Sequence, residues 1–389
     1  VPTIASNLGA FKQCIKDEET GILCENTIEE WYEKLTDLIN DSQKRERIGN
    51  TAHRLCLKKN VTTYTGKGLA DYIESHLKRN IAFVLPTTNI SGGVNVVLKH
   101  IAILRKNGFD VFVINNDEVN DDILNKDGTV YVISCRKYEL DARIDTMVAT
   151  LWDTLRVPLK YPKVRNIKYF VQNFETDFMP FGQYAKIVAN QTYNTYRDID
   201  YITISKWCEN WLKDDYGRDS LYAPNGINLE QFPYKERDFS KKKIKILVEG
   251  NSKDYYKNVD ESFKIVEKID KSKYEIHFLS YQGEPKKWYY VDKFMHKVPY
   301  DEVGKVYQDA DILIKSSLLE SFSYPPLEMM CTGGAVVVAP NDGNIEYLKD
   351  RENCLFYQPG NIEDAVEKIN EIVENEELRN KILENGRST

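Results

Sequence analysis

Short apolar runs and amphipathic stretches alternate along most of this chain, and their periods separate strand from helix. From Asn80 the run "NIAFVLP" reads as a buried strand and "TTNISGG" as a polar glycine loop. Val94 to Lys106 then carries Val94, Val97, Leu98, Ile101 and Leu104 at helical spacing, Asn107-Gly108 ends that helix, and "DVFVINN" is the next strand. Further strands are predicted at Thr129 to Ser134, Thr146 to Leu151, Lys168 to Gln172 and Tyr201 to Ser205, with helices over Gly182 to Tyr196 and Lys206 to Asp215. After the turn-rich, charged stretch "YAPNGINLEQFPYKERDFSKKK" the alternation restarts at "IKILVEG" (244–250), which puts a boundary near Glu236 to Lys241. The second half predicts strands at 274–280, 311–317 and 335–340 and helices over 259–269, 301–309, 325–331 and 362–373. The expected fold class is therefore α/β: two Rossmann-like, doubly wound halves with a ligand cleft between the carboxyl ends of their sheets.

The head of the chain resembles its tail. "VPTIASNLG" (1–9) lies over "AVVVAPNDG" (335–343), an offset of 334 residues. After small gaps "IKDEETGIL" (15–23) meets "LKDRENCLF" (348–356), "IEEWYEKL" (28–35) meets "IEDAVEKI" (362–369), and Arg45 and Ile48 fall on Arg379 and Ile382. So long an offset points to large modules in tandem rather than a solenoid. The expected organisation is 1–78 as the C-terminal part of an upstream module, 79–238 as an N-terminal Rossmann-like domain, and 239–389 as a C-terminal one. The tail is expected to lack the counterpart of a last helix over Val61 to Leu77. Val1 to Ser6 reads as a strand entering a loop rather than as a start or targeting segment.

Composition narrows the class further. With 42% hydrophobic and 29% charged residues the chain is globular. Lys+Arg 53 against Asp+Glu 60 gives a net charge of -7, which offers no global field for nucleic acid. The seven cysteines form no C-x-x-C pair and no zinc-like spacing, so they read as reduced thiols, and no metal is expected. No stretch approaches the roughly 20 apolar residues that span a bilayer. The expected location is the cytoplasm, with peripheral attachment to the inner face of the membrane left open.

The densest chemical signal is "DADILIKSSLLESFSYPPLEMMCTGGAVVVAP" (309–340). A strand leads to Glu320, then to a short loop, then to a helix opened by Pro325 and Pro326, residues that suit a first turn whose N–H groups have no helical partner. The N–H groups around Ser321, Phe322, Ser323 and Tyr324 and the helix dipole make an anion site suited to a diphosphate. Glu320 and Glu328 flank it and can accept hydroxyl protons from a sugar or a ribose.

This segment resembles the retaining glycosyltransferases of the GT-B fold, glycosyltransferase family 4, whose signature has two glutamates separated by seven residues. "YAPNGINLEQF" (222–232), containing Asn225, is similar to that family's interdomain stretch, and "NISGG" (89–93), with Gly92 and Gly93, stands in the place of its N-domain glycine loop. "YFVQNFETDFMPFG" (169–182), "YAKIVANQTY" (184–193), "ISKW" (204–207) and "SYPPLEM" (323–329) resemble a bacterial subgroup that includes cell-surface polysaccharide rhamnosyltransferases. The resemblance implies that Glu320 contacts the donor sugar, that Glu328 binds the nucleotide ribose, and that Lys257 binds phosphate beside Gly250. Asn251 stands where the family usually has arginine, and Lys253 is the candidate to supply the missing charge. No counterpart of the family's acceptor-side histidine is found, and Gln172 and Glu175 stand where such a group would act. The implied partners are a nucleotide sugar (dTDP- or UDP-linked, rhamnose among the candidates) and a glycan or lipid-linked glycan acceptor, with no cofactor. The competing class is a non-catalytic glycan-binding or scaffold module.

Plainer readings hold for other features. Trp152, Trp207 and Trp211 read as core rather than sugar platforms, Lys241-Lys242-Lys243 as a solvated linker, and "DID" (198–200) as a chance match to a metal motif.

Overall fold

The computed structural model describes residues 1–59, 67, 80–87, 91–115, 131–134, 143–179, 182–196 and 198–389. The helix predicted over Val61 to Leu77, apart from Lys67, and Asn89-Ile90 of the glycine loop lie outside the described residues. The chain forms two compact units, Val1–Lys78 and Arg79–Thr389.

The first unit contains β1 (Ile4–Ser6), α1 (Gly9–Cys14), β2 (Ile22–Cys24), α2 (Ile28–Asn40) and α3 (Ser42–Lys59). β1 and β2 pair in parallel, and Ile22, Cys24, Leu38 and Ile48 form a small buried cluster. Thr27 caps α2 by accepting from the Glu30 N–H, and the Arg45 guanidinium donates to the carbonyls of Leu38 and Ile39 across the α2–α3 corner.

In the second unit a seven-stranded sheet is built from β3 (Asn80–Leu85), β4 (Asp110–Asn115), β5 (Tyr131–Ser134), β6 (Ile144–Ala149), β7 (Val164–Val171), β8 (Asp200–Thr203) and β9 (Ser220–Tyr222). Its order is β5-β4-β3-β6-β7-β8-β9 with every pair parallel. The helices of this half are α4 (Gly92–Lys106), α5 (Arg156–Lys160), α6 (Tyr184–Asn194) and α7 (Lys206–Tyr216). A six-stranded sheet follows from β10 (Ile244–Glu249), β11 (Tyr274–Ser280), β12 (Lys293–His296), β13 (Ile312–Lys315), β14 (Ala335–Val338) and β15 (Leu355–Phe356), in the order β12-β11-β10-β13-β14-β15, again all parallel. Its helices are α8 (Val259–Lys268), α9 (Val303–Asp309), α10 (Tyr324–Cys331), α11 (Ile362–Glu374) and α12 (Glu376–Arg387).

Both sheets are covered on both faces, which is why their strands read as continuous apolar runs. In β10, Ile246 and Val248 enter one core cluster while Leu247, between them, enters the cluster on the other face. Each sheet order reverses beside its first strand, at β3/β6 and at β10/β13, the topological switch points where α/β folds open a ligand crevice.

The last elements of this unit repeat the hydrogen bonds of the first unit. Asn361 caps α11 by accepting from Asp364 N–H, as Thr27 caps α2, and Arg379 donates to the carbonyls of Ile372 and Val373, as Arg45 does to Leu38 and Ile39. Ile4 pairs with Ile22 as Val337 pairs with Leu355. This register places Ile4 on Val337, one residue away from the sequence alignment of 1–9 with 335–343. A one-residue slip turns every strand side chain to the opposite face, so the ladder decides the match.

Three short strands escape the sequence pattern. β9, β12 and β15 have three, four and two residues, too few to show a period. The linker also joins the second sheet's half earlier than predicted: Phe232 lies in a core cluster with Leu247, and Arg237 donates to the carbonyls of Ala310 and Tyr307.

A candidate donor site at the carboxyl ends of β10 and β13

β10 ends on Glu249 and turns at Gly250, whose φ of +147° is a region that L side chains rarely adopt. A Cβ there would also lie 2.9 Å from Val259 Cγ2, so glycine is required at this corner. The chain then makes a 3-10 turn, Tyr255–Lys257, which carries Lys257 back toward the strand ends. β13 ends on Lys315, and the loop beyond it carries Glu320.

The two loops meet at one ion pair. Lys257 Nζ lies 2.8 Å from Glu320 Oε1 and 2.9 Å from Oε2, and Lys315 Nζ stands 3.6 Å from the same Oε1. Burial alone would raise the pKa of Glu320, but the two ammonium groups outweigh it and hold the carboxyl below its ordinary value. Lys257 is partly buried, and although that burial lowers its pKa, Glu320 and Glu249 raise it above the usual lysine range. The Glu320 loop is braced from behind by the segment after β14: a Cβ on Gly343 would sit 2.0 Å from the Glu320 carbonyl oxygen, and Asn341 Nδ2 donates to the Ser317 carbonyl at 2.9 Å. Ser323, at φ 62°, begins α10, and the Tyr347 hydroxyl donates to its carbonyl.

Glu328 lies in the first turns of α10, only 7% exposed. Burial pushes its carboxyl up to about 7, against a hydrogen bond from Tyr307 and the charge of Lys99, while Glu249 adds to the rise. Lys99 comes from α4 of the other half; its ammonium lies 5.4 Å from the ring centre of Tyr300 and 5.2 Å from that of Tyr324. Phe322, 6% exposed, packs in the core cluster of the first sheet's half with Leu85 and Val94, and Phe178 meets Tyr256 edge-on at 5.0 Å. Glu346 accepts from the Lys206 N–H at the start of α7 at 2.7 Å and from the Tyr222 hydroxyl. The crevice is thus closed by contacts from both halves of this unit.

The remaining predicted residues divide. Gly93 and Gln172 come together: a Cβ on Gly93 would lie 3.4 Å from the Gln172 amide, at the carboxyl ends of β3 and β7. Gly92 faces open space, and both amide atoms of Asn225 are buried without a hydrogen-bond partner. Asn251 donates from Nδ2 to Asp254 at 2.9 Å and accepts from the Lys253 N–H at 3.1 Å, while the Lys253 side chain is exposed. Lys253 therefore forms no part of the ion-pair cluster. Glu175 is 4% exposed and accepts from the hydroxyls of Tyr169 at 2.6 Å and Tyr193 at 2.8 Å, inside the core of its half. Burial raises it to about 7. Among the plainer readings, Trp211 is core, stacked on Phe174 at 4.4 Å, and Asp200 of "DID" pairs with Lys168. Lys241 departs from a solvated linker: it pairs with the buried Asp311 at 2.6 Å.

Sequence reasoning passed over Lys315, Glu249, Lys99 and Tyr307. A signal for Lys315 existed, since a lysine closing the buried run Ile312-Leu313-Ile314 is polar at a strand end that faces a crevice.

Residues 1–55 and 292–389 match the family described as glycosyl transferases group 1. An uncharacterized glycosyltransferase of Methanocaldococcus jannaschii is 26% identical over 216 residues, covering 50% of this chain and 55% of that protein. The N,N'-diacetylbacillosaminyl-diphospho-undecaprenol alpha-1,3-N-acetylgalactosaminyltransferase of Campylobacter jejuni is 30% identical over 85 residues, 22% of this chain and 23% of that enzyme. The matches thus span about half of the first relative and about a quarter of the second. Among solved structures, sucrose-phosphate synthase of Thermosynechococcus elongatus superposes with a TM-score of 0.64 at 14% identity, covering 80% of this chain and 93% of that one. HepE of Anabaena in complex with UDP-glucose superposes with a TM-score of 0.64 at 14% identity, covering 79% and 93%. Residues 1–55 and 292–389 are thus similar to glycosyl transferases group 1, and the second unit has the two parallel-sheet, Rossmann-like halves of the GT-B glycosyltransferase fold.

Proposed function

We propose that the chain is a retaining glycosyltransferase that moves a sugar from a nucleoside diphosphate to a glycan or lipid-linked glycan acceptor in surface polysaccharide synthesis. The observation that carries this reading is the Lys257–Glu320 pair at the β10/β13 switch point, next to the start of α10, with Glu328 coupled to Glu249 and Lys315 of the same cluster. Lys257 and the N–H groups of Ser321 to Tyr324 take the charge of the departing diphosphate, so the reaction draws on no metal or cofactor. Glu320 accepts hydroxyls of the donor sugar and Glu328 those of the ribose. An acceptor hydroxyl attacks the oxocarbenium-like centre from the face that the leaving group vacates, which retains configuration. Gly93, Gln172 and Asn225 line the acceptor side, and Asn225 brings an amide with unmet hydrogen-bonding capacity. The UDP-glucose held by the Anabaena relative and the undecaprenol-linked acceptor in the Campylobacter enzyme's name support a nucleotide sugar and a lipid-linked glycan as the classes to test. UDP- and dTDP-linked donors, dTDP-rhamnose included, are the first candidates. The recurrence of the Thr27 and Arg45 bonds at Asn361 and Arg379 supports a tandem arrangement in which Val1–Lys78 belongs to another such module.

The test is a calorimetric titration with UDP, dTDP and GDP, followed by assay of donor hydrolysis and transfer. Binding and turnover lost in Lys257→Ala and Glu320→Ala are expected; retention in both removes the proposed site. A second reading, a non-catalytic binding or scaffold module, is favoured by Asn251, whose neutral amide is engaged by Asp254. Failure of the intact protein to bind any of these nucleotides selects it.

A further inference from the structure

Lys315 is the last residue of β13, on a strand whose preceding residues Ile312, Leu313 and Ile314 are all fully buried and whose register partner on β14 is Val338. An aliphatic side chain would suit that apolar setting, yet an ammonium is enclosed there at 1% exposure. It pairs with the Glu249 carboxylate, donates to the Glu249 carbonyl at 3.3 Å, and lies 3.6 Å from Glu320 Oε1. Glu320 thus stands between two cations of different freedom. Lys257 sits on a loop turn with 26% of its side chain exposed, whereas Lys315 is fixed in a strand and walled in. A diphosphate that engages Lys257 competes with Glu320 for its ammonium, and transfer of that ammonium to the phosphate leaves the carboxylate buried.

We propose that Lys315 is a positioning residue: the standing counter-ion of Glu320, which keeps the carboxylate ionised and in place when Lys257 turns to the donor's diphosphate. This rests on the glycosyltransferase reading above. The groups facing Glu320 are Lys257 and Tyr256 from the 3-10 turn, Lys315 and Ser317 from β13 and its loop, and Tyr347 behind the loop, while Glu249 at the end of β10 acts on the two lysines and Glu328 of α10 on Lys315 and Glu249. Only Lys257 and Lys315 among the described residues are cations paired to Glu320.

The experiment is calorimetry with whichever of UDP, dTDP or GDP binds the wild-type protein, repeated at pH 7 in buffers of different ionisation enthalpy. The wild-type proton count is the baseline, since Glu328, raised to about 7, itself exchanges a proton at pH 7. Lys315→Met is expected to take up about one proton more than wild type on binding and to lose affinity more steeply as pH rises, by up to about tenfold per unit. Lys315→Arg, which keeps the charge, restores wild-type behaviour, and Lys315→Met combined with Glu320→Gln abolishes the additional uptake. A folded Lys315→Met protein that binds the nucleotide as wild type does, without additional proton uptake, overturns the proposal. Should that variant not fold, carbon-13 titration of the wild-type glutamates serves instead: Glu320 remaining ionised at pH 7 in the nucleotide complex is expected, and its protonation on binding overturns the proposal. Absence of wild-type binding to all three nucleotides overturns the functional reading itself.

Discussion

Lys257 chelates Glu320 across 63 residues of sequence, its ammonium 2.8 Å and 2.9 Å from the two carboxylate oxygens. The pair joins the corner after β10 to the loop after β13 and is mostly buried, with 26% and 10% of the two side chains exposed. Removing one partner leaves the other charge where water is scarce. Lys257→Met is expected to destabilise the protein by about 1–3 kcal/mol, below the roughly 3–5 kcal/mol of a fully buried pair because Lys315 remains and Lys257 is partly exposed. Urea unfolding of the variant beside Lys257→Arg, which keeps the charge and the pair, checks this.

The same pair sets an acid limit. Glu320 binds its proton more weakly folded than unfolded, so its contribution is present above the ordinary glutamate value and is lost as pH falls below it. Glu320→Gln is expected to flatten the acid limb of the stability profile, read by thermal unfolding between pH 3 and pH 6.

Glu328 and Glu175 behave in the opposite sense. Each is buried and raised to about 7, so each holds a proton in the folded chain at pH values where the unfolded chain has released it. The stability that each proton confers is whole below about 4.5 and declines as pH rises toward about 7. Glu175→Gln is expected to weaken that decline and, because Glu175 is enclosed by Tyr169 and Tyr193, to leave nucleotide binding unchanged. Glu328→Gln is expected to weaken the decline and also to lower nucleotide affinity. Stability profiles and calorimetry on both variants separate the core carboxyl from the site carboxyl.

Gly343→Ala tests the brace behind the site. Its Cβ would meet the Glu320 carbonyl at 2.0 Å, backbone that cannot move without shifting the Glu320 loop. A loss of about 3 kcal/mol is expected, with weakened nucleotide binding in whatever folds. Gly360→Ala is no neutral control, since its φ is +83°. Ala substitution at Gly226, which faces open space, is the appropriate comparison.

The alternation of strands and helices was readable wherever an element buried a full period, as in β10 or α11. The short strands β9, β12 and β15 take their place from neighbours in the sheet, and no local pattern marks them. At the site, Glu320 and Glu328 stood out because a strand end, a loop and a helix start follow one another in sequence, whereas Lys257 was singled out by the family resemblance alone. Lys315 and Lys99 did not, because their roles depend on contacts made only after folding: a strand tip beside a distant glutamate, and a helix of the other half laid over Tyr300 and Tyr324. Glu175 shows the reverse, a carboxylate prominent in sequence that folding turns inward onto two tyrosines.

The most direct measurement is donor turnover by the wild-type protein, Lys257→Ala and Glu320→Ala, followed as nucleoside diphosphate released from UDP- and dTDP-sugars. Wild-type release that falls by at least about a hundredfold in each folded variant is the expected result, as loss of a charge that stabilises the transition state requires. Release that persists at wild-type rates in both variants contradicts a donor site at the Lys257–Glu320 pair.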